Sequence, residues 1–493
     1  LTSQLSYSQK EANTWYFGFY RGLDFNNGTP VGITNSVMPT HGGSAVISDS
    51  LTGKLLFYSN GEQVWNRGDE IMPNGNQLFG SNSVTQCALI VPKPSTPQKF
   101  YLFTIHQNIF DYDLSYSIID MNLDKGLGDV DTLQKNILVV NGITESQIAV
   151  RHTNGTDYWL VVHKRNSNEF LSFPITENGI GSPVVNAIGS IYILGPGNRA
   201  GGCEMKASPN GKMITSSIGP TDTLDPVDLF DFDAGTGSIT NHRYLMSLYS
   251  RYGSSFSPDN TKLYVYGADL DSVAIGDESI GIFQFDLTYP TIEEIRNSKV
   301  SLFNQNTVTH IDTYAAAASS AMQIGPDGKI YVAGNITLAD GKGSVSIIAT
   351  NVLLVIEQPN KPGFDCYITL RYFDFGNHAG IAPGLPNFIE NTFNLREPTD
   401  NDGPSFCGSE EAFTIFPNPA ADLFQIIVGE ACFESYYLKI YNSLGQSVMD
   451  DDQLVVTRES PFIDIRFLPA GVYLVYFKIG SRVIVKKLVK ANR

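Results

Sequence analysis

Three stretches of this chain repeat one local pattern. ASPNGKMITSS (Ala207–Ser217), FSPDNTKLYVYG (Phe256–Gly267) and IGPDGKIYVAG (Ile324–Gly334) each set an apolar strand, a Pro-Asx-Gly-type turn and a second apolar strand. Proline presets φ at the first corner of such a turn, and Asn or Gly accepts positive φ at the next, so the phrase encodes a β-hairpin. Looser copies precede them: SDSLTGKLLFYSN (Ser48–Asn60), PKPSTPQKFYLFT (Pro92–Thr104) and HTNGTDYWLVVHK (His152–Lys164). The copies recur at intervals of about 45 to 67 residues, which is a repeat architecture whose units bury their faces only against one another.

Most hairpins are followed by a third strand of alternating aromatics: LSYSIIDMNL (Leu114–Leu123), FLSFPIT (Phe170–Thr176), LFDFDAGTG (Leu229–Gly237) and IGIFQFDLT (Ile280–Thr288). Strand, hairpin and outer strand make up a β-propeller blade, and the interval lies near the WD40 and kelch periods. Six units are complete. AGIAPGLPNFIE (Ala379–Glu390) reads as an inner strand without a second, whereas WYFG (Trp15–Gly18) and GLDF (Gly22–Phe25) read as second and third strands without a first. Joining them closes a ring and removes exposed sheet edges. The expectation is an all-β chain with a seven-bladed β-propeller over 9–392, six and eight blades being the neighbouring counts. REPTDNDGPSFCGSEE (Arg396–Glu411) then breaks the pattern, so 393–411 reads as a linker and 412–493 as a further domain.

Composition agrees with many tight turns and little helix: 45 Gly, 24 Tyr and 29 Phe, with only 17% charged residues. The formal charge of −17 argues against a nucleic-acid partner. From Phe413 onward the balance is +1, which leaves −18 upstream. No apolar run approaches the roughly 20 residues that span a bilayer, so no transmembrane segment is expected. Leu1–Ser8 (LTSQLSYS), with small residues at Ser6 and Ser8, reads as the remnant of a signal peptide. Of five cysteines, Cys407 and Cys432 flank the start of the last domain and offer a disulfide in an oxidising compartment, though spacing does not decide it. Cys87, Cys203 and Cys366 sit in apolar contexts and read as buried thiols.

The last domain carries FPNPA (Phe416–Ala420), LKIYNSLGQSV (Leu438–Val448), LPAGVYLVYFKIG (Leu468–Gly480) and RVIVKKLVK (Arg482–Lys490). Roughly seven short strands in about eighty residues predict a small Ig-like β-sandwich. In GVYLVYFKI (Gly471–Ile479) both alternating faces are apolar, which reads as a strand covered on both sides. In this order the motifs resemble the type A C-terminal sorting domain of the Bacteroidota type IX secretion system. The resemblance implies a sorting signal at Phe416, Pro417, Asn418, Pro419, Gly445, Gly471, Tyr473, Lys486 and Lys487. It also implies three partners, namely the outer-membrane translocon, its shuttle protein and a sortase-like protease, and a product secreted or held at the cell surface on the outer membrane. The propeller's two ends, WYFG…GLDF and GLPNF, resemble extracellular propeller proteins of the same bacteria, and no activity comes with that.

Propellers bind ligands over the central funnel, near the starts of inner strands. The residues at those places are His41, Gln86, Gln147, Glu204, Tyr252, Gln323 and His378. They are hydrogen-bonding types, yet no spacing pairs them as acid and base, and a wet channel alone would make such positions polar. No G-x-S-x-G, H-E-x-x-H or paired C-x-x-C occurs, and the seven His never fall at metal-ligand spacing. Calcium is the one cofactor expectation, from the acidic clusters Asp111–Ser115, Asp269–Ser279 and Thr399–Gly403. None of these completes a calcium loop. Two classes of function stay open. One is a binding or adhesion module for a glycan or protein. The other is a hydrolase or lyase acting on extracellular polysaccharide or peptide, with Glu204 as a funnel acid.

Overall fold

The structure is a computed structural model. It describes residues 10–108, 111–192, 203–218, 225–249, 253–269, 280–302, 321–333, 337–338, 347–348, 352–376, 384–393, 413–416, 418–420, 422–428, 436–451, 463–479 and 482–491. The chain divides into two compact units, Leu1–Leu395 and Arg396–Arg493. No helix is long and apolar enough to cross a membrane among the described residues.

The first unit is a series of antiparallel meanders. Their first strands are Thr14–Phe17, Ala45–Ser48, Ala88–Pro92, the end of Ile137–Arg151, Cys203–Ala207, Ser254–Phe256 and Met322–Ile324. Each lies beside the first strand of the next meander. All six hairpins read from the sequence form, with their turns between paired strands. The turns share one device: Gly211, Asn260 and Gly328 occupy the same slot at φ between 66° and 74°. Ser208 and Ser257, three residues before that slot, accept from the amides of Met213 and Lys262 at 2.9 and 2.8 Å. Ser-Pro-Asx is therefore a side-chain-stapled turn rather than a composition bias.

Two strands do double duty. Ile137–Arg151 pairs with Tyr112–Asp120 over its first half and, after a register shift between Ile143 and Gln147, with Tyr158–Lys164. Ser238–Tyr249 likewise pairs with Asp225–Asp233 and then, at Leu248 and Tyr249, with Lys262–Asp269. Along Ile137–Arg151 the chain thus passes from the outside of one meander to the inside of the next without leaving extended conformation.

The circuit closes, though by a different route from the sequence expectation. Trp15–Phe17 lies in the first strand of a three-stranded meander with Arg21–Asp24 and Val31–Ile33; it is not a second strand awaiting an inner partner. Trp15 and Phe25 pack on Tyr331 with ring centroids 5.4 and 5.6 Å apart, while Tyr16 packs on Tyr58 at 4.6 Å. The first meander is thereby wedged between the last and the second in one apolar cluster. The expected inner strand Ala379–Glu390 does not form a ladder in its described part. Residues 384–393 make one parallel bridge, Ser44 to Pro386, and end in a 3-10 turn at Glu390–Phe393. Its polar side chains are committed elsewhere, as described below. Gly384 passes so close to the Gly42 carbonyl that a Cβ there would overlap it.

The second unit holds seven strands among its described residues, in two antiparallel sheets. One orders Phe413–Phe416, Leu423–Val428, Ile463–Asp464; the other orders Ser447–Asp451, Tyr436–Asn442, Gly471–Ile479, Arg482–Lys490. Ile415, Phe424, Leu438, Ile440, Tyr473, Val475 and Leu488 form one shared core. The expectation that Gly471–Ile479 is covered on both faces is corrected. Tyr473 and Val475 point into that core, but Val472 and Leu474 are 45% and 37% exposed, because two layers cover only one face of each sheet.

Candidate functional site

Four of the seven funnel candidates meet. Gln86 precedes the strand Ala88–Pro92, Gln147 lies on Ile137–Arg151, Glu204 on Cys203–Ala207 and Gln323 on Met322–Ile324, and all four side chains are buried. The Gln86 amide clamps the backbone of one residue: Nε2 donates to the Met205 carbonyl and Oε1 accepts from the Met205 N–H, both at 3.1 Å. Gln147 Nε2 donates to the Gln86 carbonyl at 2.9 Å. These side chains join different meanders, Gln147 the fourth to the third and Gln86 the third to the fifth, which is the work that backbone ladders do inside each meander.

Lys206 follows Glu204 by two residues on the same strand, so both point to one face. Its ammonium donates to Gln323 Oε1 at 2.6 Å and stands 3.3 Å from Glu390 Oε1 and 3.9 Å from Glu204 Oε1. Gln323 Nε2 donates to Glu390 Oε1 at 3.1 Å, and Glu204 Oε2 accepts from the Ser254 N–H at 2.8 Å. Burial pushes the Glu204 carboxyl up to about 7, with Glu390 adding to the rise and Lys206 and the Ser254 amide opposing it. Burial also raises Glu390, against Lys206 and Gln323. Two carboxylates and one ammonium are thus enclosed with their hydrogen-bonding capacity largely met.

The segment 384–393 ties this network together. The Asn387 backbone N–H donates to the Ser44 carbonyl at 2.8 Å, and its side-chain Nδ2 donates to the Gln147 and Ala88 carbonyls at 3.1 and 3.4 Å. Asn391 accepts from the Arg151 N–H at 2.8 Å and donates to the Pro209 carbonyl at 3.0 Å. With Glu390, three side chains fasten four of the first strands and a neighbouring turn to one piece of chain. Lys206, Asn387, Glu390 and Asn391 were not among the sequence candidates. Their signal was faint: polar residues three and four apart inside the apolar run GLPNFIENTF (Gly384–Phe393).

The other candidates separate from this group. His41 is exposed, its ring set edge-on to Phe19 at 4.7 Å. Tyr252 and His378 lie outside the described residues, as do Cys407, Cys432 and Thr399–Gly403. Cys87 is buried, its thiol 3.0 Å from the Gly43 carbonyl and raised by burial, and Cys366 is buried in a 3-10 turn rather than a strand. Among the described residues no three His, Cys, Asp or Glu side chains gather at metal-binding distance. In the acidic clusters, Asp111 faces Arg165 at 3.8 Å, Asp113 accepts from Asn108 at 2.8 Å, and Asp269 pairs with Lys299 at 2.6 Å.

The sorting motifs resolve into definite jobs. Asn418 lies beside the edge of Arg482–Lys490, where its Nδ2 donates to the Lys487 carbonyl at 2.6 Å and its Oδ1 accepts from the Val489 N–H at 2.8 Å. Ala420 continues that pairing through the Val489 carbonyl at 2.8 Å. The motif Asn is thus a side-chain surrogate for a strand, satisfying an edge that would otherwise be open. Gly445 takes φ 77° in the turn before Ser447, and Tyr473 donates to the Pro469 carbonyl at 2.7 Å from within the core. Gly471 opens its strand opposite Lys490. Pro419 and Lys487 are exposed, and Lys486 is half-buried beside Val475 in the register. Phe416 ends the strand Phe413–Phe416, and Pro417 lies outside the described residues.

Residues 414–491 match the family model described as the secretion system C-terminal sorting domain. No curated protein matches the chain. Among solved structures, it is similar to a candidate 6-phosphogluconolactonase from Bacteroides uniformis ATCC 8492, with 14% identity over 76% of this chain and 98% of the other, at a TM-score of 0.39. It is also similar to AofleA from Arthrobotrys oligospora, with 11% identity over 78% and 92% of the two chains and a TM-score of 0.33. The WD40 domain of SCAP from fission yeast gives 10% identity over 76% and 90%, with a TM-score of 0.34. Likenesses this distant carry no functional inference. The sorting tail does: it supports export through the type IX secretion system, to the medium or the cell surface.

Proposed function

We propose that this chain is a secreted or cell-surface binding protein, a seven-bladed propeller exported by an Ig-like type A sorting domain of the Bacteroidota kind. The observation that carries the reading is the sorting-domain match over 414–491. In this reading 9–392 is the cargo, 393–411 the linker and 412–493 the export handle. The translocon and its shuttle recognise the handle, and a sortase-like protease removes it. Each meander from Thr14 to Tyr372 counts as one blade. The basic last strand, with Lys487 exposed, presents charge opposite to that of the acidic cargo.

Binding is favoured over catalysis by the fate of the funnel residues. Glu204, raised to about 7, has the acidity of a general acid. Its oxygens, however, face the Ser254 amide and Lys206 in a buried network, which leaves it as a strut. The full chain and a variant ending at residue 411 are to be expressed in a bacterium that carries the type IX apparatus, and the medium, surface and periplasm assayed. The full chain reaches the medium or surface and the shortened one stays in the periplasm; equal export of both would reject the reading.

A further inference from the structure

Away from the axis, a cleft of about 500 Å³ opens between the third and fourth meanders. Its walls include Lys93, Tyr101, Tyr116, Gln134, Phe173 and Glu177. The volume falls within the roughly 300–1,000 Å³ typical of small-ligand clefts. Tyr101 and Tyr116 meet edge to face with centroids 5.3 Å apart, Phe103 stacks on Tyr101 at 5.6 Å, and the Lys93 ammonium lies 5.9 Å from the centre of the Tyr101 ring. Tyr101 is only 3% exposed and Tyr116 half-buried, and both line the cleft with phenol hydroxyls that have no protein hydrogen-bond partner among the described residues. Lys93 and Glu177 form no ion pair there either. Such a wall offers a ligand an aromatic face together with free hydrogen-bonding ends.

We propose that this cleft binds a short, neutral oligosaccharide, which names the ligand of the binding role proposed above and rests on it. Sugar rings offer apolar C–H faces for the aromatic wall and hydroxyls that both donate and accept. The cleft supplies matching groups: two phenols, an ammonium, two amides and a carboxylate. A purely apolar ligand would leave both phenols unsatisfied. A phosphate or polyanion would face Glu177 and a chain of net charge −17 with a single lysine in its favour. An extended peptide would need a sheet edge to pair with, and the edge strand here, Gly179–Ile180, is two residues long.

The test uses the full chain with soluble hexasaccharides of β-1,4-glucan, β-1,3-glucan and xylan as probes, measured by calorimetry, with inorganic phosphate and a hexapeptide pool alongside. At least one hexasaccharide binds; Tyr116→Ala weakens it about tenfold and Tyr101→Phe, which removes only the hydroxyl, weakens it severalfold. Glu204→Gln leaves it unchanged, and both tyrosine variants keep the wild-type circular dichroism. If no hexasaccharide binds, or only the phosphate or peptides do, the cleft assignment is overturned. Saccharide binding untouched by either tyrosine substitution also overturns the cleft while leaving the binding role standing. Release of shortened saccharide would reject the binding role itself.

Discussion

The Lys206 ammonium lies 3.3 Å from the Glu390 carboxylate, 184 residues further along the chain. That contact joins the middle of the first unit to its last described segment, and Asn387 extends it to strands more than 200 residues upstream. The polar groups at the centre hold the circuit shut.

Asn387→Ala removes the donors that serve the Gln147 and Ala88 carbonyls and leaves buried groups unsatisfied. The expected loss is about 2–4 kcal/mol, read from urea unfolding of the full chain. His41→Ala, at an exposed position, should change stability by less than about 0.5 kcal/mol. Equal effects would remove the distinction drawn between the two sites.

Glu204 sets a pH dependence with a definite sign. Its carboxyl is raised from an ordinary value near 4.5 to about 7, so folding favours the protonated form. The contribution is fully present below pH 4.5 and is lost as pH rises through about 7. The stability advantage of the wild type over Glu204→Gln should therefore shrink across that interval, as followed by melting temperature. An advantage that grows with pH would show the opposite linkage.

A second titration lies between the fourth and fifth meanders. His242 Nε2 is 2.8 Å from the wholly buried Asp228 carboxylate, and this hydrogen bond, reinforced by the charge of Asp228 and opposed by burial, raises the imidazole above its ordinary value. Its contribution is present below pH 6.5 and lost as pH rises through the raised value. His242→Gln should flatten the wild-type fall in melting temperature above pH 6.5. Nearby His163, buried and depressed to about 3, stays neutral throughout this range.

In the sorting domain, Asn418→Ala removes both bonds to the last strand. A loss of about 1–2 kcal/mol is expected. Faster amide exchange should appear at Val489 and spread along Arg482–Lys490 in hydrogen-exchange measurements. Asn418→Asp keeps the acceptor for the Val489 N–H and should restore part of the protection.

The hairpins were legible because their signals are local. Pro, Asx and Gly set the turn within four residues, and Gly211, Asn260 and Gly328 sit in the shared slot. The sorting motifs were legible for the same reason. The mode of closure was not, since it depends on Asn387 meeting Ala88 and Gln147, 299 and 240 residues away. Lys206 was hidden by its type: a lysine in a hairpin strand ordinarily faces solvent, and only the approach of Gln323 and Glu390 makes it a buried tie. The aromatic cleft was hidden because Tyr101, Tyr116 and Phe173 read equally well as core, and only their place on one cleft wall sets them apart.

Binding and turnover measured together on the purified full chain test the central claim most directly. The chain is incubated with polysaccharide and peptide panels, and retained ligand and released fragments are quantified for wild type and Glu204→Gln. The account predicts a retained ligand, no fragments, and identical behaviour of the two proteins. Fragment release by the wild type that Glu204→Gln abolishes would contradict it and make the central carboxylate a catalyst rather than a strut.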